Sequence, residues 1–136
     1  MVEEFNGTWG DAVFENFDEY LKECGVNFLL RKLAQKIRDT IVIEVIDNKF
    51  SNTSLNSFKN HTLKWTLGEE TFIETIDGRK VYSTFTYEDG ILYERQRPFK
   101  EGDKTSLITR QIKDNNLIVT FNCNGVIATH TYTKVQ

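Results

Sequence analysis

Apolar positions along this chain follow two different periods. Between Asn16 and Ile37 they recur every three to four residues: Phe17, Tyr20, Leu21 and Cys24 stand at i, i+3, i+4 and i+7, the spacing of a single helical stripe. Asn16 is placed to cap that helix, with Glu19 completing a capping box, and Gly25 to end it with a left-handed residue. A second stripe, Leu30, Leu33, Ala34 and Ile37, begins behind Asn27, a strong capping type. The pattern therefore predicts a helix-turn-helix over about residues 16–37. Both stripes must face something apolar.

From Thr40 onward the period falls to two, and the runs turn β-branched and aromatic. The predicted strands are Ile41–Ile46, Phe50–Leu55, Lys59–Leu67, Thr71–Thr75, Lys80–Tyr87, Ile91–Arg95, Thr105–Ile112, Leu117–Cys123 and Val126–Val135, with one more from Phe5 to about Phe14 ahead of the helices. Between them lie Asp47-Asn48, Gly68, Asp77-Gly78, Asp89-Gly90, Gly102-Asp103, Asn115-Asn116 and Asn124-Gly125, residue types that accept the positive φ of hairpin turns. Links this short join antiparallel neighbours. Ten short antiparallel strands favour closure into a barrel or a two-sheet sandwich, because open edges invite aggregation.

Composition narrows the class. The chain has 136 residues, 39% of them hydrophobic, material for one core and one domain spanning residues 1–136. A formal net charge of -3 supplies no overall positive field for a phosphate backbone, so nucleic acid is not an expected partner. Two cysteines, Cys24 and Cys123, read as reduced thiols in a cytoplasmic compartment. No apolar run approaches the length needed to span a bilayer, and no signal peptide is apparent. Sequons at Asn6, Asn52 and Asn60 barely exceed what this composition yields by chance and should stay unmodified. There is no Ser-nucleophile motif, no metal-ligand spacing and no phosphate-cradling glycine loop. A non-enzyme without cofactor or metal is expected.

Alternation then selects the inward residues. On the last strand Val126, Ala128, His130 and Tyr132 share the face that reads as internal; on an earlier one Ile108, Arg110 and Ile112 do. Arg110 is the odd member. A guanidinium among isoleucines requires an anion, a carboxyl side chain or ordered water.

Several stretches, in order and over essentially the whole chain, resemble the intracellular lipid-binding proteins and within them the fatty-acid-binding branch: Phe5-Asn6-Gly7-Thr8-Trp9, Glu15 to Lys22, Gly25-Val26, Arg31-Lys32, Ser57-Phe58-Lys59-Asn60, Leu67-Gly68, and Asn124-Gly125 through Tyr132-Thr133-Lys134-Val135. The resemblance implies an all-β, ten-stranded antiparallel up-and-down β-barrel, a β-clam lidded by the two helices, that carries a long-chain fatty acid in its cavity as a cytoplasmic monomer. It further implies that an Arg on the eighth strand and an Arg-x-Tyr on the last hold the ligand carboxylate. Arg110 and Tyr132 match, but His130 stands in place of the second arginine. Histidine near its ordinary pKa of about 6.5 offers fewer donors and no permanent charge, so protonation of His130 would strengthen carboxylate binding. Phe17, Tyr20, Ala34, Phe58, Asp77 and Arg79 match portal or ligand-contact positions, whereas Trp9 and Trp65 read as packing residues. Lys22, Arg31, Lys32, Lys36 and Arg38 could dock the lid transiently on an anionic membrane. Asp11 departs from the family, which has an apolar residue there. Alternatives are a retinoid or other bulky amphiphile, since His130 enlarges or dries the headgroup end; a secreted lipocalin; and an enzyme of acyl-chain chemistry that uses the Arg, His and Tyr.

Overall fold

The computed structural model describes residues 1–135. After a 3₁₀ turn at Val2–Phe5, the chain runs β1 (Gly7–Glu15), α1 (Phe17–Glu23), α2 (Phe28–Lys36), β2 (Thr40–Ile46), β3 (Lys49–Leu55), β4 (His61–Thr66), β5 (Glu70–Glu74), β6 (Lys80–Glu88), β7 (Ile91–Pro98), β8 (Leu107–Lys113), β9 (Asn116–Cys123) and β10 (Val126–Lys134). The ten strands form one sheet in the order β4-β3-β2-β1-β10-β9-β8-β7-β6-β5. Every paired neighbour is antiparallel. Between β4 and β5 no backbone ladder runs among the described residues; aromatic side chains take over there. Trp65 of β4 stacks on Phe85 of β6 at 4.0 Å and on Phe50 of β3 at 5.2 Å. The predicted barrel is thus nearly closed, and its β4/β5 seam is held by rings.

The core occupies one end of this barrel. Phe5, Trp9, Phe85, Leu92 and Leu117 are almost wholly buried there, and Trp9 donates its indole N–H to the Phe5 carbonyl at 3.0 Å. Both tryptophans pack, as their positions predicted. A second cluster lies under the lid, where Tyr20, Leu21 and Cys24 of the α1 face meet Val26, Cys123 and Ala128. The α2 stripe differs: Leu30, Leu33, Ala34 and Ile37 stay half-buried because they face the cavity rather than a packed wall.

Some local expectations are corrected. Asn16 does not cap α1 with its side chain; it sits in the left-handed region at φ 58°, and its Nδ2 donates to the Ile127 carbonyl at 2.9 Å. Cross-strand anchoring wins over the capping box, and Glu19 points outward. Asn27 does cap α2, accepting from the Leu30 N–H at 2.9 Å. The first strand starts at Gly7, since Phe5 belongs to the 3₁₀ turn. The β4 run begins at His61 because Asn56 Oδ1 accepts from the N–H groups of Phe58 and Lys59, folding that stretch into a turn. The β8 run begins at Leu107, and β7 extends to Pro98. The β8–β9 turn centres on Asp114-Asn115, both at positive φ, one residue before the predicted Asn115-Asn116.

Asp11 also finds its reason here. The β1–β10 register shifts between Gly10 and Val13, and Asp11 takes φ 51° in that bulge with its side chain in solvent. A carboxamide or carboxyl residue tolerates that backbone better than the β-branched type usual in strands. Two of the sequons are structural: Asn6 Oδ1 accepts from the Val45 N–H at 2.7 Å, and Asn52 is buried facing inward. No helix among the described residues is long and apolar enough to cross a membrane.

Candidate functional site

Beneath the lid, between the α2 stripe and the packed core, lies a cavity of about 250 Å³. All nine candidate positions line it: Arg110, Tyr132 and His130 from β8 and β10, and Phe17, Tyr20, Ala34, Phe58, Asp77 and Arg79 from the lid and the turns beside it. Ile41, Leu63, Ile73, Ile108, Leu117, Val119 and Phe121 supply apolar wall. Alternation places these side chains inward, as β8 and β10 predicted; Ile127 and Leu107, on the opposite parity, are exposed.

Arg110 is buried, as its strand face required, and its counter-ion is intramolecular. Nη1 donates to Glu94 Oε1 at 2.9 Å, a bond reached diagonally because Arg110 sits opposite Leu92 in the β7–β8 register. Glu94 Oε2 accepts from Ser83 Oγ at 2.8 Å and from Gln96 Nε2 at 3.3 Å. Gln96 Oε1 takes the Ser106 N–H at 2.8 Å, and Ser106 Oγ lies 2.7 Å from the Tyr20 hydroxyl. A continuous polar chain therefore ties the barrel interior to helix α1. Glu94 was missed by the sequence reading, although its signal was present: it alternates with Leu92 inside a predicted strand. Only one of the five guanidinium N–H donors of Arg110 is drawn into that pair.

Tyr132 donates its hydroxyl to Asp39 Oδ1 at 2.7 Å, and Asp39 Oδ2 accepts from Ser54 Oγ at 2.6 Å. Burial, then the Asp39 charge and hydrogen bond, push the Tyr132 hydroxyl well above the ordinary phenol range. No periodicity pointed to Asp39, which lies in the joint between α2 and β2. Nor did any mark His61, whose ring also lines the cavity.

His130 is 6% exposed, stacked on Phe14 at 3.6 Å and flanked by Phe17 at 4.3 Å and Phe121 at 4.6 Å. Its Nδ1 lies 3.4 Å from the Tyr132 hydroxyl and its Nε2 has no partner. Burial, assisted by the nearby Arg38 charge, lowers its pKa to about 3. The ring therefore lines the cavity as a neutral group near pH 7. Arg38 itself stacks over Phe14 at 4.4 Å.

Also lining the cavity, Arg79 Nε donates to Asp77 Oδ2 at 2.8 Å, and Thr75 Oγ1 donates to Asp77 Oδ1 at 2.6 Å. Burial opposes both charges, but each outweighs the other's desolvation: the Asp77 carboxyl is held below, and the Arg79 guanidinium above, its usual range. Phe58 stands 48% exposed on its turn beside the opening. Cys24 and Cys123 are buried free thiols, Cys24 Sγ lies 3.7 Å from Ser106 Oγ, and burial raises the Cys123 thiol to about 11.

An up-and-down barrel whose lidded interior holds a cavity with an apolar wall and a few inward polar groups defines a carrier-type binding protein. The lipocalin / cytosolic fatty-acid binding protein family profile matches residues 6–135. Fatty acid-binding protein homolog 5 of Caenorhabditis elegans is 42% identical over 98% of both chains, and human fatty acid-binding protein 9 is 37% identical over 99% of this chain and all of its own. The crystal structure of apo lipid binding protein 8 of Caenorhabditis elegans superposes with a TM-score of 0.92 at 30% identity, covering 98% of this chain and 97% of that one. The chain belongs to the lipocalin / cytosolic fatty-acid binding protein family.

Proposed function

We propose that this protein is a monomeric cytoplasmic carrier for a lipid of the long-chain fatty-acid class, with one acyl chain lying in the cavity and its polar end set against Arg110, Tyr132 and His130. The observation that supports this reading most is a cavity that is apolar along its walls yet has a hydrogen-bonded guanidinium and phenol at its inner face. Burying about a dozen methylenes at about 0.8 kcal/mol each contributes on the order of 10 kcal/mol before the cost of ordering the chain. The tail thus dominates affinity. A headgroup hydrogen bond to a charged partner, about 1.5 to 3 kcal/mol, mainly sets orientation. The rings of Phe14, Phe17 and Phe121 crowd His130, which favours a slim chain end over a retinoid-like ring.

The titration pattern supports a carrier rather than an enzyme. The His130 pKa is about 3, the Cys123 pKa is about 11, and burial raises the Tyr20 and Tyr132 hydroxyls above the ordinary phenol range, so these groups are displaced from neutrality in the directions that disable proton transfer at pH 7. For lid docking, Arg31 is tied to Asp18 and to the Val26 carbonyl, and Arg38 is bonded to the Gln35 and Ile37 carbonyls. Lys22, Lys32 and Lys36 remain outward, Lys32 Nζ lies 5.3 Å from the centre of the Phe28 ring, and Phe28 and Leu29 are 59% and 78% exposed on α2. That combination suits transient contact with an anionic bilayer.

Mass spectrometry of lipid copurifying with recombinant protein tests the reading, together with displacement of a fluorescent fatty-acid analogue. One acyl lipid per chain, and weaker binding in Arg110→Ala, is the expected result. Protein that binds no long-chain lipid after delipidation refutes it.

A further inference from the structure

The charges inside the cavity do not balance in favour of an acid. Its lining holds two guanidinium groups, Arg79 and Arg110, against three carboxyl side chains, Asp39, Asp77 and Glu94. Each arginine is already paired, Arg79 with Asp77 and Arg110 with Glu94. Asp39 is the unmatched member: it is held by two neutral hydroxyls, Tyr132 and Ser54. Arg38, the nearest further cation that bears on this end, is exposed and stacked on Phe14.

Hydrogen-bond polarity points the same way. Tyr132 spends its only proton on Asp39, so the ring nitrogen of His130 that faces the phenol, Nδ1 at 3.4 Å, is the one placed to carry the imidazole hydrogen. Nε2 is then a lone-pair acceptor, buried and without a partner. The polar end defined by Asp39, Tyr132 and His130 is therefore rich in acceptors: each Asp39 oxygen accepts a single bond and has a lone pair to spare. At that end, away from the Arg79 Nη1 that is buried without a partner, a carboxylate brings only acceptors and a further negative charge, whereas a hydroxyl or an amide N–H brings the missing donor. Leaving such groups unpaired, or placing like charges together in a desolvated site, is the larger cost.

We propose that Asp39 selects the headgroup, and that the preferred ligand is an uncharged long-chain acyl derivative whose hydroxyl or amide donates to it, in preference to the ionised acid. This rests on the carrier reading above and narrows its ligand class. Arg110, held by Glu94 through a single N–H, keeps its remaining donors for the oxygen of that uncharged headgroup.

The test compares four ligands of one 18-carbon chain, namely oleyl alcohol, oleamide, oleate and methyl oleate, titrated calorimetrically into delipidated protein at pH 8.5. The alcohol and amide are expected to bind at least tenfold more tightly than both oleate and the donor-less ester. Asp39→Asn, which removes the charge at nearly constant shape, should narrow the gap between oleate and the alcohol by at least tenfold. Oleate binding more tightly than the alcohol in the unmodified protein overturns the proposal without recourse to any variant, and so does equal affinity for the alcohol and the methyl ester. Failure of all four ligands to bind would instead remove the carrier reading, and this inference with it.

Discussion

Protonating His130 should unfold this protein at a pH where an ordinary histidine is harmless. The ring titrates at about 6.5 when solvated but at about 3 in the folded chain, because burial among Phe14, Phe17 and Phe121 removes water and Arg38 adds repulsion. The native state therefore binds fewer protons than the unfolded state below pH 6.5. Its stability is full above that value and is lost as pH falls toward 3. For these two pKa values the loss is about 2 kcal/mol at pH 5, reaching about 5 kcal/mol once pH drops below the folded value. Urea unfolding at pH 7.5 and pH 5.0 measures it, with His130→Phe as the comparison, since a phenyl ring keeps the stack on Phe14 and cannot take a proton. Carboxyl groups common to both proteins cancel in the difference. The wild type is expected to lose about 2 kcal/mol more than the variant between the two conditions. An equal loss, or an imidazole resonance of His130 that titrates near 6.5 in the folded protein, would refute the reasoning.

Two further outcomes follow from particular contacts. Glu94→Ala leaves the Arg110 guanidinium buried without its carboxyl partner and should cost about 3 to 5 kcal/mol in urea unfolding, whereas replacing both residues by leucine should cost far less, because an apolar pair avoids both desolvation penalties. Equal losses in the single and double variants would show that Arg110 finds another partner. On the lid, replacing exposed Phe28 and Leu29 by serine should slow transfer of a bound fluorescent lipid to anionic vesicles while changing stability by less than about 0.5 kcal/mol; an unchanged transfer rate argues against docking through α2.

Local chemistry settled much of the architecture before any tertiary contact was known. The two-residue alternation that put Ile108 and Arg110, and His130 and Tyr132, on inward faces needs nothing beyond strand geometry. Hairpin turns such as Asp89-Gly90 and Asn124-Gly125, at positive φ in the fold, were legible because few residue types accept that backbone. The helical lid was legible too, through its stripes and the Asn27 cap. Even the demand for a partner on Arg110 was written in the pattern, since a charge cannot be left alone among isoleucines.

What the pattern could not decide was who would meet that demand. Asn16 has the chemistry of a helix cap, yet a carbonyl on β10 outcompetes the local N–H groups for its amide. Glu94 and Arg110 are separated by 16 residues, and Asp39 and Tyr132 by 93, so their meeting depends on strand register and on how the lid's exit strand crosses the opening. Likewise, the sequence shows a histidine at position 130, but only its enclosure by three aromatic rings makes that histidine neutral. Periodicity is a property of neighbouring residues and survives in one dimension; pairing of buried charges and the loss of water around them arise only when distant segments close over the same space.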